Sequence, residues 1–461
     1  MRAIESPPLV TSLVTEEHDF SDAPEGEFAS KGYNVGNFLR EVDLPFEKKT
    51  NPMSMKTKVV ILTCSAGLLL FTIAGGLSGV RASSSNDGAY RQLQVYSEVL
   101  SRVRSEYVEE PNITAVTDGA LHGLLDSLDP DSSFLTPAEY REYKEHKTEA
   151  KGEIGAMVSK RFGYATVVAV IPGSPADKAG LQPTDILEAV DINGTNRSTH
   201  DMSLAEVRNL LSGLPGSTLS VSVVRSRQAE PQKMVITRDI VTIPPVSDKL
   251  MDDGIGYMQV DAFSKGKALE IAAKVKSLQK AGAKKLILDL RNCAEGDESE
   301  GIATANLFLN HGTIAYLQGQ KVPRESFNAD PSKEITSLPL AVLVNKGTAG
   351  AAEIVAAAIL ENARGDIVGE KTFGEGSVQK LIELPDESVL ILSVAKYYSP
   401  SGKAIQDTAV TPNVTVASGD DDSALPDDDD STTPSDQTKP QAPQPDQPLQ
   451  KAIQLLKAKA S

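Results

Sequence analysis

A chain of 461 residues with 40% apolar content is long enough for roughly two or three folded units plus tails. Its formal net charge of -17 argues against a nucleic-acid surface, which needs clustered Lys and Arg. The two cysteines, Cys64 and Cys293, form neither a disulfide framework nor a cysteine metal site, and His18, His122, His146, His200 and His311 lack metal-ligand spacing. No metal and no cofactor is therefore expected.

Residues 1–58 mix acids, Gly, Ser and Pro without a sustained period and read as a mostly disordered cytoplasmic tail. VVILTCSAGLLLFTIAGGLSGV, Val59 to Val80, is uncharged and long enough to span about 30 Å of hydrocarbon as a helix. A cleaved signal peptide would have a shorter apolar core nearer the N-terminus, so an uncleaved transmembrane anchor is the preferred reading. Lys48, Lys49, Lys56 and Lys58 precede the span and Arg81 and Arg91 follow it, which puts the N-terminus in the cytoplasm. The folded domains are then periplasmic or otherwise extracytoplasmic.

Residues 88–150 read as a helical region. Leu93, Tyr96, Val99, Leu100, Val103 and Tyr107 keep helical spacing, Asp129-Pro130 makes a turn, and Thr136-Pro137 opens another helix. Over 151–240 the texture changes to short β-rich runs punctuated by glycine. ATVVAVIPGSPADKAGLQPTDILEAVDING predicts strands over Ala165–Val170 and Ile186–Ile192 around a short helix at Ala176–Ala179. A capped helix from Ser203 to Gly213 and an alternating strand from Ser217 to Arg225 follow. This order resembles a PDZ domain of the permuted bacterial kind. Residues 241–418 alternate strands such as LILDL (Leu286–Leu290) and LAVLV (Leu340–Val344) with helices such as AAEIVAAAILEN, which predicts an α/β layer with a partly parallel sheet. Residues 419–448 form an acidic, proline-rich linker, and 449–461 a short amphipathic helix suited to docking back on the body.

From about Tyr90 onward the chain resembles the C-terminal processing peptidases, the tail-specific serine proteases of bacteria and plastids. The resemblance rests on SLDPDSSFL, the PDZ stretch, GIGYMQVDAF, LDLRN, GTAGAAEIVAAAI, VGEKTFGEGSVQ and AKYYSPSGKAIQ. It implies a multi-domain α/β protein with a crotonase-like ββα protease core. In the family the elbow normally reads S-A-S-A-S-E-I, with the serine at its third residue the nucleophile, and a lysine in T-F-G-K-G-S-V-Q is the general base, oriented by the glutamine that follows. Here the serine position is Gly350, the lysine position Glu375 and the glutamine Gln379, so only the glutamine survives.

A Ser-Lys dyad needs a hydroxyl to attack the carbonyl and an amine whose pKa desolvation has lowered. Gly350 has no side chain, and an anionic Glu375 would repel the developing oxyanion. Where the family continues with N-P-G-G, this chain reads CAEGDESEG from Cys293 to Gly301. Glu295 replaces the first glycine, while Asp297, Glu298 and Glu300 add negative charge to the rim. Thr348, beside Lys346, is read as a turn or capping hydroxyl, Ser377 as a loop hydroxyl and Glu353 as a helix-dipole residue.

PDZ domains capture a peptide's C-terminal carboxylate on the backbone of one loop and add the peptide as a strand. KGEIGAMV is the candidate loop, with Ile154, Gly155, Ala156 and Met157 nearest the carboxylate. The alternative is a PDZ unit that only packs against the protease-like domain as a lid. The expected function is a membrane-anchored, catalytically impaired homologue that binds protein C-terminal tails as an adaptor, decoy or sensor. An active serine-type endopeptidase with Thr348 or Ser377 as a displaced nucleophile is the alternative, and a homodimer or a pairing with an active paralogue is a third, structural reading.

Overall fold

The computed structural model describes residues 87–459, apart from 150–151, 162, 193, 226–229 and 418–444, together with 54–56, 58–60, 62–63 and 65–66. Nearly all of the expected cytoplasmic tail, most of the apolar span 59–80 and most of the linker 419–448 lie outside the described residues. Among the described residues no helix is long and apolar enough to cross a membrane. The helix Asp87–Glu106 follows the expected period, yet Leu93, Tyr96 and Val99 on it are exposed.

The described residues from 98 onward form one compact unit. Its central sheet has six strands in the order Val414–Thr415, Asp366–Gly369, Leu340–Val344, Lys285–Asp289, Ile255–Gln259 and Ser247–Met251. All neighbours run parallel except the last pair, a hairpin turned through Asp252–Gly254. LILDL and LAVLV are uninterrupted apolar runs because parallel strands are covered on both faces. Side chains alternate across the strand, so Leu286 and Leu288 meet the helices Lys267–Lys280 and Ala351–Glu361, while Ile287 faces the other way with Ala341 and Leu343.

That second face is closed by the C-terminal helix, Gln447–Ala458, which begins just inside the stretch expected to be linker. Ala452 and Leu456 are fully buried against it. The helix docks back as its amphipathic pattern suggests, and Arg291 fastens its first turn by donating to both oxygens of Asp446 at 2.9 Å while also pairing with buried Asp289.

The β-rich region forms a separate six-stranded sheet. Ala156–Arg161 lies at one edge, followed by Tyr164–Val170, Ile186–Ile192, Thr218–Val224 and Gln232–Thr237, with Thr195–Ser198 added to Ile186–Ile192. The helix Leu204–Leu211 starts at a capping box: Ser203 Oγ accepts from Glu206 N at 3.2 Å, and the Glu206 carboxylate accepts from Ser203 N at 2.8 Å. Leu204, Val207 and Leu211 turn into the core, leaving Arg208 on the outer side of the helix.

A third, antiparallel sheet joins distant parts of the chain. Ser133–Leu135, from the SLDPDSSFL motif, pairs with Val389–Tyr398, which also pairs with Ser377–Glu383 and Thr313–Gln318. Ser377 thus opens a strand instead of sitting in a loop. Thr136 and Glu139 cap the helix Pro137–Glu149 reciprocally, as expected from Thr136-Pro137.

Candidate functional site

The strand Leu340–Val344 ends in a turn held by the side chains of Asn345 and Thr348. Thr348 is fully buried; its Oγ1 donates to the Leu290 carbonyl at 2.8 Å and accepts from Asn345 N at 3.0 Å. Asn345 in turn accepts from Asn292 N at 2.9 Å and donates to Asn292 Oδ1 at 2.8 Å, tying the turn to the end of LDLRN. Thr348 is therefore a clamp within the turn, which agrees with its reading as a turn hydroxyl and removes it as a nucleophile.

Gly350 is the N-cap of the helix Ala351–Glu361, with φ 59 and ψ -120, a conformation in which a side chain is strained. Space is not the obstacle. A Cβ at this position would find only the Ala294 carbonyl nearby, at 3.8 Å. The bend presents a residue to open space, as an elbow for a nucleophile must, but the residue presented has no side chain.

Glu353 does more than complement the helix dipole. It is fully buried, and its Oε2 accepts from Gly350 N at 3.1 Å and from Glu375 N at 2.8 Å. Its Oε1 accepts from Gly374 N at 2.9 Å and from the Thr372 hydroxyl. One carboxyl thus brings together the backbones of Gly350 and Glu375, the two positions expected to correspond to nucleophile and base. Burial pushes Glu353 up to about 8, against the pull of the Thr372 hydroxyl and the three backbone N–H groups.

Glu375 is the residue expected at the base position. Its Oε1 lies 3.5 Å from Arg208 Nη2, and its Oε2 is buried with no hydrogen-bond partner among the described residues. Burial pushes this carboxyl up to about 7; Arg208 pulls it down, while Asp131, Glu295 and Glu298 push it further up. A carboxyl with these neighbours cannot supply the neutral amine of a Ser-Lys dyad.

The acidic rim divides in a way the motif alone does not reveal. Glu295 and Glu298 sit near Glu375 and are themselves raised by burial. Glu300 instead caps a neighbouring helix, accepting from Gly266 N at 2.7 Å and Ala268 N at 3.0 Å. It is a structural acid and is removed from the rim. Gly296 has φ 126, and a Cβ there would fall 2.3 Å from the Phe263 carbonyl, so the short Glu295–Gly296 strand requires glycine where it pairs with Ala262–Phe263.

Gln379 is exposed on the strand Ser377–Glu383; its amide donates to Ser377 Oγ at 2.7 Å and to Ser393 Oγ at 3.5 Å. It makes no hydrogen bond to Glu375 among the described residues. Ser377 Oγ donates to Asp131 Oδ2 at 3.2 Å.

The β-rich sheet covers the elbow. Met157, Val168 and Ala169 pack against Ala294 and Ala349, with Phe373 beside them, and a Cβ on Gly347 would fall 2.9 Å from the Val168 carbonyl. Arg208 secures this closure. It donates to the Val158 carbonyl from Nε at 3.2 Å and Nη2 at 3.0 Å, and its Nη1 lies 3.5 Å from Asp131.

The proposed carboxylate loop is bent by Gly155 at φ 74, where a Cβ would meet Ser174 Cβ at 2.4 Å. Ile154 is buried with its carbonyl accepting from Ala176 N at 2.8 Å; the Gly155 carbonyl accepts from Ile171 N at 2.9 Å and Ser174 Oγ at 3.2 Å. Ala156 and Met157 begin the edge strand, which pairs along one side with Tyr164–Val170. Its other side faces the helix Leu204–Leu211, and there Arg208 holds Val158.

Arg208 and Asp131 were not legible as site residues. The one available signal is that Arg208 lies off the apolar stripe of a well-capped helix. Among the described residues no cluster of three or more His, Cys, Asp or Glu could hold a metal ion.

Residues 254–416 match the model of peptidase family S41, and residues 166–225 match a PDZ domain model. Carboxy-terminal processing protease CtpA of Bacillus subtilis is 32% identical over 358 residues, covering 77% of this chain and 75% of that protein. A carboxyl-terminal-processing protease of Picosynechococcus is 35% identical over 303 residues, covering 65% of this chain and 72% of its own. Among solved structures, a photosystem II D1 C-terminal processing protease aligns with a TM-score of 0.58 at 27% identity, over 70% of this chain and 92% of that one.

Proposed function

We propose, on the premise that this chain belongs to peptidase family S41 with the carboxyl-terminal processing proteases, that it is a catalytically impaired member. It binds protein C-terminal tails through its PDZ domain as an adaptor or sensor in extracytoplasmic proteolysis. The single observation that carries this reading is the pairing held by Glu353: the nucleophile position has no side chain, and the base position is a carboxyl beside Arg208. Neither proton transfer to a lysine nor acylation of a serine can occur there. Closure of the β-rich sheet over Ala294 and Ala349 supports a tail-responsive lid over the site.

The uncharged stretch Val59–Val80 supports anchoring by one membrane span, with the N-terminus cytoplasmic. Family precedent supports a dimer or a pairing with an active paralogue.

The test is cleavage of an unfolded protein by the detergent-solubilised full chain, with fragments counted by mass spectrometry. The native chain is expected to be silent and the Gly350→Ser, Glu375→Lys double variant to gain measurable cleavage. Robust native cleavage sinks the proposal. A second reading, an active endopeptidase with Ser377 as nucleophile, draws on the hydrogen bond from Ser377 to Asp131. It requires native cleavage that disappears in Ser377→Ala.

A further inference from the structure

We propose that Asp131 and Glu375 form a receptor for a basic side chain, a lysine or an arginine carried by the bound polypeptide. This deepens the tail-binding reading and rests on it by naming the class of tail. The two carboxylates flank one guanidinium, but its closest hydrogen bonds go elsewhere. Arg208 reaches Val158 at 3.0 and 3.2 Å, whereas Asp131 and Glu375 each lie at 3.5 Å, the outer limit of a hydrogen bond.

The second oxygen of Glu375 is buried and has no partner among the described residues. A buried carboxylate oxygen without a donor is unfavourable, and a cation that reaches it supplies a charge-assisted bond. Next to Asp131 and Arg208 lies a cavity of about 400 Å³, lined in part by Asp131, Glu153, Arg208 and Gln379. Glu295 and Glu298 add negative charge from the peptidase-like side, and Arg208 is the cation that faces the cluster from the PDZ helix. Arg208 acts as a partial stand-in for the ligand.

The same charges predict a pH dependence. Glu375 is held up at about 7, so an incoming cation must displace its proton, and binding strengthens as pH rises through that value.

The experiment uses the full chain in detergent micelles and short fluorescein-labelled peptides that end in Ala-Ala and carry Lys, Gln or Glu at each interior position in turn. Fluorescence anisotropy is expected to give about tenfold tighter binding for Lys over Gln at one or two positions. That preference should shrink to about equality in Glu375→Gln and in Asp131→Asn, and grow in the native chain from about pH 6 to about pH 8. Equal binding of Lys and Gln peptides at every position overturns the inference while leaving tail binding intact. If no peptide binds at all, the tail-binding reading fails, and tri-lysine decides the inference on its own. A rise in melting temperature of the native chain but not of Glu375→Gln upholds the receptor, and no rise in either removes it.

Discussion

Replacing Glu353 by alanine tests the clamp that joins the elbow to the loop at Glu375. The substitution leaves the backbone N–H groups of Gly350, Gly374 and Glu375 and the Thr372 hydroxyl without their shared acceptor. Each orphaned buried group costs about 1–3 kcal/mol, partly offset because a carboxyl no longer has to be buried. A net loss of about 4 kcal/mol, or about 10 °C in melting temperature for a domain of this size, is expected near pH 6.

The sign of the pH dependence distinguishes this clamp from a generic core contact. Glu353 stands at about 8 in the folded chain against an ordinary 4.5, so the folded state binds more protons than the unfolded one. The stability tied to it is fully present below about 4.5 and is lost as pH rises through about 8. Calorimetry should therefore find the gap between native and variant narrowing from about pH 6 to about pH 8.5, because only the native chain loses this contribution. A gap that stays constant over that range would mean that the four donors hold Glu353 ionised, and would refute the argument that burial dominates.

Three further outcomes follow from contacts already described. Thr348→Ala should lower stability by about 2 kcal/mol in chemical denaturation, since Leu290 O and Asn345 N lose their partner, while any cleavage by the chain stays unchanged. Gly296→Ala should be more severe than alanine at an open turn glycine such as Gly173, because its Cβ would fall 2.3 Å from a backbone oxygen; comparable melting temperatures for the two variants would contradict the assigned backbone. Arg291→Ala should speed hydrogen exchange in Gln447–Ala458 by removing its tie to Asp446, and unchanged protection would show that Ala452 and Leu456 suffice to hold the helix.

What was legible in the sequence is what repeats locally. LILDL and LAVLV announce buried parallel strands, Ser203 with Glu206 announces a helix start, and Gly350 in place of a serine announces an empty elbow. Less accessible were contacts between residues far apart in the chain. Ser133–Leu135 joins Val389–Tyr398, Arg208 meets Glu375, and Glu353 reaches across to Thr372, and no periodicity links such partners. Composition also misled at Glu300, which reads as one more acid on a rim but caps the helix Lys267–Lys280. The difference lies in direction: a side chain on the first turn of a helix can point to either side, and its partner decides which.

The departures from the family pattern are coupled through charge, and this shapes what restoring the dyad would take. Gly350→Ser is sterically open, with the Ala294 carbonyl 3.8 Å from the new Cβ, although φ 59 with ψ -120 strains a side chain by about 1–3 kcal/mol. Glu375→Lys places an amine among Asp131, Glu295 and Glu298, the groups that now push the carboxyl at that position upward. Carboxylates stabilise an ammonium, whereas a general base must be a neutral amine, so these neighbours oppose the desolvation that would lower the lysine's pKa. Each unit by which they raise it reduces the neutral fraction at neutral pH about tenfold. The double variant should therefore cleave weakly near pH 7 and increasingly as pH rises. Adding Glu295→Gly and Glu298→Gln should move the rising limb of the rate profile to lower pH and raise the rate at neutral pH. Measured with one unfolded substrate and matched folding by circular dichroism, identical profiles for the double and quadruple variants would overturn the electrostatic argument and leave the closed PDZ lid as the remaining barrier.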